Sequence, residues 1–226
     1  MPEPVLVIAC GALAREIRAL LSISGFRHLH LACLPASLHN RPERIPGAVR
    51  ERIRAARAHY RRIFVAYGDC GTGGALDRVL EVEEVERIEG PHCYAFYSGL
   101  AAFEAGAAAE PASFYLTDFL VRQFDTLVWR GLGLDRHPEL RPLYFGNYRK
   151  LVHLAQTDDA VLRAEGRRAA QRLDLAYEYR FTGYGGLADF LARAAGSGDD
   201  GAADSPVLAG HSGPGDRSPG TSDGET

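Results

Sequence analysis

Six short β-like runs alternate with segments of helical periodicity along this chain, and few architectures accommodate such a rhythm. The runs are Pro4–Ala9, His28–Cys33, Arg62–Tyr67, Val85–Ile88, Leu151–Ala155 and Leu175–Phe181. Between them, apolar residues recur at helical spacing, as at Leu13, Ile17, Leu20 and Leu21. Helices are expected over 12–24, 46–60, 74–81, 94–109, 118–130, 158–172 and 187–195, with Thr117 as an N-cap and a short further helix opening at Pro138. Strands alternating with helices predict a largely parallel sheet covered on both faces, a single three-layer α/β domain of Rossmann-like type. That domain is expected over residues 1–195.

Residues 196–226 follow a different rule. Gly, Ser, Asp and Pro dominate, aromatics are absent, and Val207 and Leu208 are the large apolar residues. Such a segment buries too little surface to offset chain entropy, so a disordered tail is expected. The net charge of −3 lacks the basic excess of a nucleic-acid binder. No apolar run approaches the roughly 20 residues that cross a bilayer, and the opening MPEPVLVIACGA has no positive n-region, so no secretory signal is expected. A soluble, cytoplasmic protein is the expectation, one in which four cysteines stay reduced, reactive or metal-bound.

Where those cysteines fall is informative. Cys10 follows the first run beside Gly11, Cys70 follows the third within Gly68-Asp69-Cys70-Gly71, and Cys93 follows the fourth within Gly90-Pro91-His92-Cys93. In a parallel sheet these three turns share the carboxyl edge, where open α/β folds place their ligands. Thiolates are soft ligands suited to zinc or an iron–sulfur cluster, so Cys10, Cys70 and Cys93 are candidate metal ligands, with His92 as a fourth. Gly11, Gly68 and Gly71 are candidates to bring backbone close to a bulky cofactor, and His39 and Asn40, in the loop after the second run, to contact it. The bland alternative is that each cysteine is a small buried hydrophobe. Cys33, followed by Leu34-Pro35 without a glycine, is expected to pack.

Other chemistry finds less footing. Gly71-Thr72-Gly73-Gly74 lacks both phosphate-loop spacings, and the first loop has too few glycines for a dinucleotide fingerprint. No GxSxG elbow or HExxH pair occurs. Cys70 or Cys93 as a nucleophile requires a lowered thiol pKa. His59, His137 and His153 carry no pattern that points to a role.

With these residues in hand, the chain resembles the DUF1638 family. The likeness rests on Ala9-Cys10-Gly11, Leu34-Pro35-Ala36 with Leu38-His39-Asn40 and Pro42, Tyr67-Gly68-Asp69-Cys70-Gly71, His92-Cys93 with Gly99, and Tyr115-Leu116-Thr117. Phe119 departs from the pattern, which has tryptophan after the Tyr-Leu-Thr segment. The resemblance implies that the three cysteines and the Leu-His-Asn loop belong together. Because relatives occur beside corrinoid-dependent methyltransferases, it also implies an accessory role in corrinoid or one-carbon metabolism, with a corrinoid reached through a partner methyltransferase system. A module that simply holds a corrinoid, a nucleotide or a partner in the cleft is the alternative; the chain lacks the DxHxxG pattern of known cobalamin-binding domains. A small-molecule ligand and a cysteine-based transferase or reductase complete the expectations.

Overall fold

A computed structural model describes residues 2–196. The expected disordered tail, from residue 197 on, lies outside the described residues. The chain is α/β with parallel strands throughout, as the alternation predicts.

The first half runs β1 (Val5–Cys10), α1 (Ala14–Ser24), β2 (Leu29–Leu34), α2 (Ile45–Ala56), β3 (Arg62–Ala66), α3 (Ala75–Glu83) and β4 (Glu86–Arg87). These strands form one sheet in the order β2-β1-β3-β4. β1 has a strand on each side and helices above it, so all six of its residues are buried, and its unbroken apolar run is what that position requires. α4 (Cys93–Ser98) and α5 (Leu100–Ala109) follow. The expected single helix over 94–109 is broken at Gly99, whose φ of +78° takes a conformation only glycine adopts freely.

The second half holds β5 (Ser113–Thr117), α6 (Asp118–Arg122), a π-helical turn (Phe124–Trp129), α7 (Arg141–Phe145), β6 (Lys150–Ala155), α8 (Ala160–Leu173) and β7 (Ala176–Phe181). Its strands make a second parallel sheet, β5-β6-β7. The strands therefore divide between two sheets instead of joining one. β4 pairs through only two positions, Phe64 with Glu86 and Val65 with Arg87, and leaves almost no edge on which another strand can register. Thr117 caps α6 as expected, its side chain accepting from the Leu120 N–H at 3.4 Å.

Each sheet has its own apolar core. The first gathers Ile17, Ile53, Leu76 and Tyr67 around β1. The second gathers Leu116, Leu151, Leu162 and Leu173. The last helix, α9 (Gly186–Ala195), follows β7 in sequence yet packs in the first core through Leu187, Phe190, Leu191 and Ala194. It ends at Gly196, with the Ala195 carbonyl accepting from His28 at 3.1 Å.

Candidate functional site

The carboxyl ends of β1, β3 and β4 bring Cys10, Cys70 and Cys93 to one region. Cys10 and Cys70 are buried and Cys93 is half-buried. Burial pushes the Cys10 thiol up to about 12, and the neighbouring Cys70 adds to the rise. Burial likewise raises Cys70, partly offset by the backbone N–H groups of Gly68 and Cys93 that point at its sulfur. Cys93 is raised well above its usual range by burial, and then by Cys70 and Cys10. Each of these thiols is therefore protonated at neutral pH while free; at Cys70 burial outweighs the Arg87 cation that favours ionisation, and a nucleophilic cysteine needs the opposite balance.

The loops that carry them are locked together. The Asp69 N–H donates to the Gly90 carbonyl at 3.1 Å and the Cys70 N–H to the Pro91 carbonyl at 2.8 Å. This contact needs Gly68: a Cβ there would lie 3.1 Å from the Gly90 oxygen and from His92 backbone atoms. Gly11 acts alike, since its Cβ would meet the Leu34 carbonyl oxygen at 3.0 Å. The two glycines thus bring loop against loop, whereas the sequence suggested that they make room for a cofactor. Gly71, at φ +85°, turns the chain after Cys70 beside Pro42.

His39 joins the thiols from the loop after β2, its Nδ1 3.5 Å from Cys10 Sγ and 3.3 Å from the Ala36 carbonyl oxygen. His92 is exposed at the rim, and Asn40 is exposed nearby. Cys33 is exposed on β2, an edge strand, so the packing expected of it does not occur. No three His, Cys, Asp or Glu side chains stand within reach of a single ion among the described residues. The Tyr67 hydroxyl, just after β3, is buried beside the Cys10 sulfur and finds no oxygen or nitrogen partner among the described residues.

The glycine-rich turn 71–74 serves its own backbone. Asp69 accepts from the Thr72 hydroxyl at 2.6 Å, the Gly74 N–H at 2.8 Å and the Gly73 N–H at 3.2 Å. Those bonds outweigh its slight burial and hold the Asp69 carboxyl below its ordinary range. The donors that a phosphate would use are already taken.

Facing this edge, across a cavity of about 180 Å³, is the β5–α6 junction of the second sheet. It is held by a buried network absent from the sequence reading. Asp118 accepts from His153 Nε2 at 2.9 Å, from the Thr157 N–H at 2.9 Å and from the Thr157 hydroxyl at 2.6 Å. His153 Nδ1 is 3.0 Å from the Tyr177 hydroxyl. Asp118 and His153 are fully buried. Tens of residues separate these partners, and the one local hint is that Asp118 and Thr157 each follow a strand end.

Fold and site define a parallel α/β protein whose carboxyl edge gathers three buried thiols and a histidine. The chain belongs to the family described as Protein of unknown function (DUF1638), which matches residues 33–191. The match includes Cys70, Cys93, His39 and Asn40, while Cys10 and Gly11 lie ahead of it. No curated protein and no solved structure matches the chain. No helix among the described residues is long and apolar enough to cross a membrane.

Proposed function

We propose that the protein carries an iron–sulfur cluster on Cys10, Cys70 and Cys93. The observation that carries this reading is the gathering of three buried thiols, from three separate strand ends, closely enough for Cys10 and Cys70 each to raise the pKa of Cys93. The Tyr67 hydroxyl, buried beside the Cys10 sulfur, supports it, because hydrogen bonds to the sulfurs tune such centres. Zinc, the other metal expected, draws thiolates to about 3.5–4 Å around one ion. No three such donors stand within reach of one ion among the described residues, which counts against zinc. His39 stands beside the Cys10 sulfur, and His92 is a polar neighbour at the rim.

Such a group supplies one-electron transfer. In that reading the protein is a cytoplasmic accessory to corrinoid-dependent methyl transfer or one-carbon metabolism, delivering electrons to a corrinoid held by a partner. The raised thiol pKa values weigh against a cysteine-based transferase.

Anaerobic purification followed by iron and sulfide analysis tests the reading. The expected protein is brown, with iron and sulfide in near-equal amounts, and alanine at any of the three cysteines removes most of both. Colourless protein with stoichiometric zinc, or protein free of metal, overturns it.

A further inference from the structure

The outer strands of the two sheets differ in how they meet solvent. β4 is only two residues long, and β7 carries Glu178 and Arg180, charges that discourage pairing with another strand. β5 has its end residues Ser113 and Thr117 buried, and its Tyr115 packs on the rings of Tyr94 and Phe103. β2 has none of these protections. Leu29–Leu34 reads LHLACL, without Asp, Glu, Lys, Arg or Pro, and it pairs with β1 through six positions without a bulge. It is the outer strand of its sheet, and His30 and Cys33 are exposed. Edge strands that stay single in natural proteins are short, charged, bulged or covered.

The register tells which backbone groups are left over. In a strand the N–H and C=O of one residue point to the same side, and consecutive residues alternate. The Val5 N–H donates to the His28 carbonyl at 3.0 Å, so His28, His30, Ala32 and Leu34 spend their groups on β1. Leu29, Leu31 and Cys33 aim theirs outward. The Leu29 N–H is taken by the Phe26 carbonyl at 3.1 Å. The N–H and C=O of Leu31 and of Cys33 find no partner among the described residues. An unpaired row of this kind is a template for a further strand.

We infer that β2 is the interface of a twofold dimer, paired antiparallel with β2 of a second copy of this chain. A twofold axis at Ala32 sets Leu31 opposite the partner's Cys33 and Cys33 opposite the partner's Leu31. The leftover groups of each copy then satisfy those of the other, and Leu29 keeps its bond to Phe26. Charge favours a second copy as the occupant: the strand has no charge to repel itself and none to draw a strand of opposite sign. Cys33, exposed in the single chain, gains the cover that its place on a strand lacks. The inference does not rest on the cluster reading.

Sedimentation velocity and amide exchange by NMR on the full chain test it, with reductant present so that Cys33 forms no cross-link. A dimer is expected at about 100 µM, well above a micromolar dissociation constant. Cys33→Lys, which adds the charge that blunts ordinary edge strands, is expected to be a monomer at that concentration with its fold intact. The Leu31 amide should exchange about 100-fold slower in the wild type than in the variant. A monomeric wild type overturns the inference, as does a dimer that Cys33→Lys leaves in place. If that variant does not fold, the wild type decides alone: Leu31 and Cys33 amides that exchange as freely as loop amides place any dimer contact elsewhere. Protection of those amides in a monomer, lost when the chain is cut after Gly196, assigns the edge to the segment beyond Gly196 and overturns the second copy. Iron and sulfide content of the same preparations reports on the cluster separately, so one reading can fail while the other stands.

Discussion

A methyl group on residue 68 would sit 3.1 Å from three backbone atoms of the Gly90–His92 loop, none of which can swing aside as a side-chain tip can. Gly68→Ala is expected to lower stability by about 1–3 kcal/mol through overpacking, and to lower iron loading with it, because the same contact sets Cys70 against Cys93. Thermal melts and iron-to-protein ratios check both. Asp118 gives the pH dependence. Burial alone would raise its carboxyl, but bonds from His153 and Thr157 outweigh that and hold it below the usual carboxylate range. Its contribution is therefore fully present above the unfolded value of about 3.9, and is lost as pH falls through the depressed folded value. Asp118→Asn is expected to cost about 2–4 kcal/mol at pH 7. It should also flatten the stability decline between about pH 4 and the folded value. Denaturant melts from pH 3 to 7 test this; an unchanged acid limb in the variant would count against it.

At the scale of elements, the helices α1, α2, α8 and α9 were legible because their periodicity runs long enough to outweigh local noise, and β1 from its unbroken apolar run. The strand β5 was not. Ser113–Thr117 is five residues with two of its positions half-exposed, and no alternation singles it out. The helical run 118–130 has the right apolar spacing, yet after Arg122 it becomes a π-helical turn, a choice set by packing that periodicity does not encode. The thiol edge was legible from the position of cysteines after strands. The Asp118–His153 network and the use of Gly11 and Gly68 for loop contact were not, since each depends on partners distant in the chain. α9 carries a prediction of its own. Phe190, 1% exposed, meets Phe64 edge-on with ring centroids 6.1 Å apart. Phe190→Ala should cost about 3–5 kcal/mol, measured by chemical denaturation.

For the molecule as a whole, α9 has a further effect. A chain that leaves the first sheet, builds the second and returns to the first core ties the two together. Arg122 of α6 also lies 4.0 Å from Glu16 of α1, a second link between the halves. Phe190→Ala in one core and Leu173→Ala in the other are therefore expected to shift the same cooperative transition. Scanning calorimetry showing one peak split into two by either variant would sink that expectation.

The return of α9 also fixes where the chain comes out. Ala195 is held by His28, just ahead of β2, and Gly196 lies beside Arg62 at the start of β3. Val5 donates to the His28 carbonyl at the same amino edge. The thiols and the cavity lie at the opposite edge, one strand length away, about 20 Å for six residues. A fluorophore or affinity handle joined after Gly196 thus starts on the far side of the sheet from the cleft.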